Sequence, residues 1–417
     1  IGKGKKVPES LLVIFENNPE YSAKLDSLIN AKDKVPFKIF DKKNAEKLFG
    51  KNLNISASQL EKFNLCRFSY FCNYGLNVRE RQRAEINPMQ YGTIVHYILE
   101  RFFGEYTKEE YLSLEEDKFQ KIVCAYLAEY AVKYFGEEQL ESNSFTYRLK
   151  TILDNVMYLM KHIMEELSQS EFFVADCELK IGEDIPSYTI VLPDGHKIAV
   201  CGSVDRVDIM QRADITYLRI IDYKTGTKQF KLSDILYGIN LQMLLYLHSI
   251  EASGGDKYGE IVPAGILYMP ATVPYISSDS LKSIDKLPDE LNKKLKMNGL
   301  LLKDTEIIHG MDKTDVATYI PVKIKAGEPV SSTSLATLAE FGKIFKKVDM
   351  LIAEMGKNIY NGNIEAKPLK GGHDSCEYCP YDSVCAYRQS NPITCFSVDN
   401  KTVIEEITNE INGKEEE

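Results

Sequence analysis

The chain has 417 residues, 44% hydrophobic and 27% charged, with a formal net charge of −10. This is the balance of a globular protein with a sizeable core, in one large domain or two to three smaller ones. The longest apolar runs, such as 241–247, are far too short to span a membrane, and nine cysteines without an export signal point to a cytoplasmic chain rather than a secreted disulfide scaffold.

Residues 1 to about 50 are Lys-rich with weak periodicity. They read as a connection from a preceding domain, and the start at Ile1 favours a piece of a longer polypeptide. "SASQLEKFNLC" (56–66) predicts a helix opened by a capping box of Ser58 and Glu61, with Leu60 and Phe63 turned inward. "NPMQYGTIVHYILERFF" (87–103) predicts an amphipathic helix begun by Pro88, with Ile94, Ile98, Leu99 and Phe102 on one face. Helical pattern continues through 116–136 and 146–168. From about residue 172 the character turns to β, through "FFVADCELKIG", "YTIVLPDGHKIAVCGSVDRVDIM" and "ITYLRIIDYKTG", with a turn at 193–195. A helix over 233–253, a strand over 264–270, an irregular insertion over 275–330 and a helix over about 335–358 follow. The end is acidic: 405–417 carries six Glu and one Lys, a segment expected to be solvated, so that charge alone does not exclude a basic groove elsewhere.

The chemistry concentrates in "GSVDRVD" (202–208) and "IIDYKTG" (220–226). A turn at Ala213 and Asp214 makes antiparallel partners of residues whose numbers sum to 427, which sets Asp205 opposite Asp222. Below them on the same face come Val207 opposite Ile220 and Ile209 opposite Leu218. Like charges placed opposite each other destabilise a sheet, and a bound divalent cation is the simplest use for them. Lys224, two residues past Asp222, projects to the same face. Two carboxylates and a lysine suit Mg²⁺ or Mn²⁺ with a water activated for attack on a phosphate. By itself, "DYKTG" would read as the polar end of a hairpin strand.

These segments resemble the core of PD-(D/E)XK nucleases of the RecB-like type, which implies an α/β fold with a central mixed sheet flanked by helices. That resemblance implies metal ligation by His96 of "GTIVH", Asp205, Asp222 and the backbone carbonyl of Tyr223. Lys224 would be the catalytic lysine and Glu178 of "CELKIG" would support a second ion, with Glu171 and Glu183 as nearby competitors. Gln242 and Tyr246, four apart on one helix face, would line the DNA path, although their spacing also fits a simple polar edge.

Near the end, "DSCEYCPYDSVC" (374–385) sets Cys376, Cys379 and Cys385 in a C-x2-C-x5-C pattern, three ligands where a tetrahedral site needs four. In a subset of the resembling nucleases one upstream cysteine joins three downstream ones on a [4Fe–4S] cluster, and "SASQLEKFNLC" implies Cys66 here. Arg67 follows it where that family usually has Pro. Cys72 is a rival ligand and four-cysteine zinc is the alternative occupant, whereas Cys124, Cys177, Cys201 and Cys395 read as core or incidental. The segments from about 55 to 390 look most like the nuclease domains of the B subunits of AddAB/RexAB-type bacterial helicase–nucleases. That likeness implies a DNA exonuclease acting on the 5′-ended strand in double-strand-break repair, as a heterodimer with a helicase–nuclease A subunit. A shorter free-standing CRISPR-associated nuclease, a non-catalytic DNA-binding scaffold and an RNA-cleaving enzyme are the alternatives. No G-x-x-x-x-G-K-[ST] phosphate loop is present, so ATP hydrolysis is not expected of this chain. The expected divisions are a linker over 1–50, a nuclease domain over 51–395 and an acidic tail over 396–417.

Overall fold

The computed structural model describes residues 9–31, 38–79, 88–136, 138, 142–226, 229–273, 287–331, 333–385, 387 and 392–415. Its frame is a mixed sheet of six strands: β2 (Phe173–Ile181), β5 (Gly202–Arg212), β6 (Ile215–Lys224), β7 (Glu260–Pro270), β8 (Asn298–Leu302) and β11 (Leu335–Ala336). The spatial order is β11-β8-β7-β6-β5-β2. A smaller sheet places β1 (Asn52–Ile55) parallel to β4 (Lys197–Val200), which pairs antiparallel with β3 (Thr189–Val191). β9 (Lys323–Lys325) and β10 (Glu328–Val330) form a hairpin, and β12 (Leu369–Gly371) runs parallel to β13 (Ile393–Cys395) on either side of the cysteine segment.

The β5–β6 hairpin follows the sequence register, with Val207 across from Ile220 and Ile209 from Leu218. Its two-residue turn holds Ala213 at φ 51°. β6 and β7 are parallel, a pairing that needs a crossover, and the helix Gln242–Ser253 supplies it. β7 runs buried from Pro263 to Met269, the near-continuous apolar pattern of a strand covered on both faces. The crossover helix is buried from Met243 to Ile250 and packs between the sheet and the helix Leu338–Tyr360. That second helix opens with a Thr337–Glu340 capping box and buries Phe341, Ile344, Phe345, Val348, Ile352 and Met355 at helical spacing.

Four expectations are corrected. The helix expected over 56–66 runs Ala57–Leu65 and is capped by Ser56 with Gln59, not by Ser58 with Glu61. Glu61 instead accepts from the backbone N–H groups of Leu241 and Gln242, at 2.7 and 3.3 Å, and so caps the crossover helix. The helix predicted over 233–253 is broken: a 3₁₀ turn, Leu232–Tyr237, ends at Gly238 in the left-handed region (φ 69°) and the α-helix starts at Gln242. Asn64 donates to the Gly238 carbonyl at 3.1 Å and lies where any Cβ would stand, so only glycine fits.

The insertion expected over 275–330 is not simply irregular, because β8 lies within it and pairs with β7 in the central sheet. Residues 274–286 of that stretch lie outside the described residues. The tail expected to be solvated forms the helix Asn400–Glu415, which buries Val403 and Ile407 against Leu338–Tyr360 and ties Glu410 to Lys347.

Candidate active site

Two registers meet at one row of the sheet. Cys177 pairs with Arg206 and Leu179 with Val204, which sets Glu178 across from Asp205. Arg206 pairs with Ile221, which sets Asp205 across from Asp222, as the sequence reading expects. Asp222 in turn lies beside Tyr268 of β7. Three carboxylates therefore stand side by side on three neighbouring strands. Glu178 holds a left-handed backbone (φ 51°), a conformation costing about 1–3 kcal/mol for a non-glycine residue.

Each acid has defined partners. His96, carried by the helix Pro88–Glu105, places Nδ1 at 2.8 Å from Glu178 Oε1 and Nε2 at 3.6 Å from Asp205 Oδ2. Ser203 Oγ donates to Glu178 Oε2 at 2.8 Å. The Tyr223 backbone N–H donates to Asp205 Oδ2 at 3.0 Å. Asp222 accepts from Gln242 Nε2 at 3.2 Å and pairs with Lys224 Nζ at 2.6 Å. Lys224 also lies over the Tyr268 ring, 5.9 Å from its centroid.

The electrostatics are those of crowded acids. Burial, then the Asp222 charge, pushes the Asp205 carboxyl up to about 7, against the pull of His96 and the Tyr223 N–H. Burial raises the Glu178 carboxyl, but the His96 and Ser203 hydrogen bonds outweigh it and hold the group below its ordinary value. Burial works to lower His96, yet the bond from Glu178 and the charges of Asp205, Glu178 and Asp222 leave it raised. Side-chain N and O atoms of His96, Glu178 and Asp205 lie within 4.8 Å of one another, and the negative charge concentrated along the row is what a divalent cation would neutralise.

The row thus brings together His96, Glu178, Asp205, Asp222, Lys224 and Gln242. Tyr246 is only 5% exposed: its hydroxyl faces Gly202 at the start of β5, where a Cβ would come within 2.2 Å of it, and the Asp205 and Asp222 charges reach it there. Of Glu178's two rivals, Glu171 pairs with Arg212 and Glu183 with Lys180, both away from the row.

Sequence reasoning missed the opposite face of the same strands. Arg206, Asp208 and Arg219 lie there with Glu166 of the helix Asn143–Ser168, and their side chains are 0% exposed. Arg206 grips Asp208 with two bonds of 2.7 Å and reaches Glu166 at 3.0 Å. Arg219 bonds Glu166 at 2.6 Å and Asp208 at 3.0 Å. Alternating charges in "DRVD" were the available signal: period two sends Asp205 to one face and Arg206 to the other.

The cysteine segment returns to the helix Ala57–Leu65. Cys66 is buried where that helix ends, and burial raises its thiol while backbone N–H groups of Ser69 and Phe68 lower it and Cys379 and Cys376 raise it again. Burial pushes Cys385 up to about 11, with further upward contributions from Cys66, Cys379 and Cys376, so these four thiols share one electrostatic neighbourhood. Cys72 also feels Cys379 and Cys66. Tyr381 fastens the segment by donating to the Val78 carbonyl at 2.7 Å. No disulfide forms among the described residues.

Most of the chain matches known proteins. The profile of the PD-(D/E)XK nuclease superfamily matches residues 54–386. A protein of Thermoanaerobacter sp. (strain X514), named as the B subunit of an ATP-dependent helicase/deoxyribonuclease, is 34% identical over 354 residues, covering 82% of this chain and 30% of the relative. Proteins of the same name from Ruminiclostridium cellulolyticum and Clostridium kluyveri are 33% and 35% identical, covering 92% and 91% of this chain and 34% of each relative. The chain thus spans about a third of the length of the curated relatives it matches. With the profile extending across both the carboxylate row and the cysteine segment, the chain belongs to the PD-(D/E)XK nuclease superfamily.

Proposed function

We propose that this chain is the nuclease portion of the B subunit of an ATP-dependent helicase–nuclease, a Mg²⁺-dependent deoxyribonuclease that trims the 5′-ended strand delivered from an unwound duplex during recombinational repair of double-strand breaks. The observation that carries the reading is the row Glu178–Asp205–Asp222 with Lys224 seated on Asp222. His96, Asp205, Asp222 and the Tyr223 carbonyl would hold Mg²⁺ or Mn²⁺. A bound ion of this kind supplies a Lewis acid that acidifies water and steadies charge on phosphate. Gln242 fixes the Asp222 carboxylate, and Lys224, with 27% of its side chain exposed, presents a cation toward an entering phosphodiester. The four cysteines Cys66, Cys376, Cys379 and Cys385 would hold a [4Fe–4S] cluster as a staple, doing no chemistry themselves.

The names of the relatives support DNA as substrate and a helicase–nuclease A subunit as partner; motor activity is assigned to that partner and not to this chain. A cytoplasmic location goes with the same reading, and among the described residues no helix is long and apolar enough to cross a membrane. The test is degradation of end-labelled single-stranded DNA, and of RNA of the same sequence, with and without Mg²⁺. Asp222→Ala is expected to abolish Mg²⁺-dependent DNA degradation while the circular dichroism spectrum is unchanged; undiminished degradation would overturn the assignment. Iron and zinc analysis of anaerobically purified protein distinguishes the cluster from zinc.

A further inference from the structure

Both oxygens of Glu178 are engaged, one by His96 Nδ1 and the other by Ser203 Oγ, each at 2.8 Å. An ionised carboxylate can only accept, so Nδ1 is the protonated nitrogen of His96 and Nε2 is the one left to face Asp205. Metal-binding histidines commonly donate their second ring N–H to a carboxylate, which fixes tautomer and ring orientation. Ser203 lies two residues before Asp205 on β5 and therefore on the same face, diagonal to Glu178 across the β2–β5 pair. The carboxylate reaches both donors from a residue whose backbone is left-handed.

We propose that Glu178 acts as a positioning residue that orients His96 Nε2 toward the metal, with Ser203 as the anchor that fixes the Glu178 carboxylate, and that Glu178 is not itself the ligand of a second ion. The inference rests on reading the row as a metal centre. Ser203 is the new member of the site. Its hydroxyl touches neither substrate nor metal and acts through Glu178 and His96.

Mn²⁺ binding to the full chain, followed by titration calorimetry and by the paramagnetic resonance of free Mn²⁺, tests it. Removing the histidine's own outer-shell partner costs on the order of 10- to 100-fold in affinity, so Glu178→Ala sets that upper bound and Ser203→Ala, one bond further out, is expected to weaken Mn²⁺ binding by a smaller factor with the number of bound ions unchanged. Ser203→Thr, which keeps the hydroxyl, restores binding to near the parent value; a merely structural serine would not be rescued in this way while thermal melting stayed constant throughout. Unchanged Mn²⁺ affinity in Ser203→Ala overturns the inference. So does loss of one bound ion in Glu178→Gln with the remaining ion bound as before, since Glu178 would then be a ligand. Parent protein that binds no Mn²⁺ sensitive to His96→Ala would defeat the metal-centre reading itself, an outcome visible before any Ser203 variant is made.

Discussion

Glu166→Gln tests whether the buried charges beneath the active-site strands are held as a closed set. Two guanidinium groups, Arg206 and Arg219, face two carboxylates, Asp208 and Glu166, and all four side chains are 0% exposed. The formal charges cancel. Burial disfavours the ionised Asp208, yet Arg206 and Arg219 hold its carboxyl below the usual range. Glutamine keeps the volume of Glu166 but leaves one positive charge uncompensated with no water to reach it. Breaking a buried pair in this way costs about 3–5 kcal/mol. Equilibrium unfolding in urea reads the change, with similar m-values for parent and variant confirming a like-for-like comparison. Glu165→Gln, at the exposed neighbouring position, is the control and is expected to stay within about 0.5 kcal/mol of the parent. A Glu166→Gln variant within about 1 kcal/mol of the parent would refute the reasoning, because no buried charge could then have been left unpaired.

Two further outcomes follow from the packing. His248 stacks on Phe345 and bonds Asp349 at 3.0 Å, with Glu251 and Tyr188 also against it. Burial works to lower it, but the carboxylates raise it to about 9 from an ordinary 6.5. A raised folded value means its stabilisation is complete below pH 6.5 and is lost as pH rises through about 9. Parent stability should therefore fall by up to roughly 3 kcal/mol more than that of His248→Asn between those limits, and equal falls in urea midpoints would count against it. If the cysteines hold a metal cluster, joining Cys66 to Cys376 closes a loop worth at most roughly 5–6 kcal/mol of restricted unfolded chain. Chelation should lower the parent's unfolding midpoint and leave Cys66→Ala unmoved, whereas equal sensitivity to chelator in both would exclude the staple.

Short-range physics was legible along the chain. Period-two alternation and a turn at Ala213–Asp214 were enough to set the β5–β6 register, because a one-residue slip would send every side chain to the wrong face. Helical spacing likewise located Ile94, Ile98, Leu99 and Phe102 in the core. Strand alternation and register set Asp205, Asp222 and Lys224 on one face, whereas His96 came only from the resemblance of "GTIVH" to the nuclease family.

What the chain order concealed are partners far apart in sequence. Glu61 caps a helix 180 residues away, Glu166 neutralises Arg206 40 residues on, and β8 joins the central sheet from a stretch that reads as irregular. Gly238 was visible, but whether it ends a helix depends on Asn64 filling the space beside it. The acidic tail looked solvated because its charges outnumber Val403 and Ile407, and the surfaces offered by Leu338–Tyr360 and Leu232–Tyr237 make burying those two worthwhile. The sequence by itself determined which residues share a face, since local geometry repeats every two or 3.6 residues. Tertiary structure alone decided which faces meet, and with it the engagement of Glu178 by His96 and Ser203, because an ionised group takes its partner from whatever the fold brings within hydrogen-bond reach, not from its neighbours along the chain.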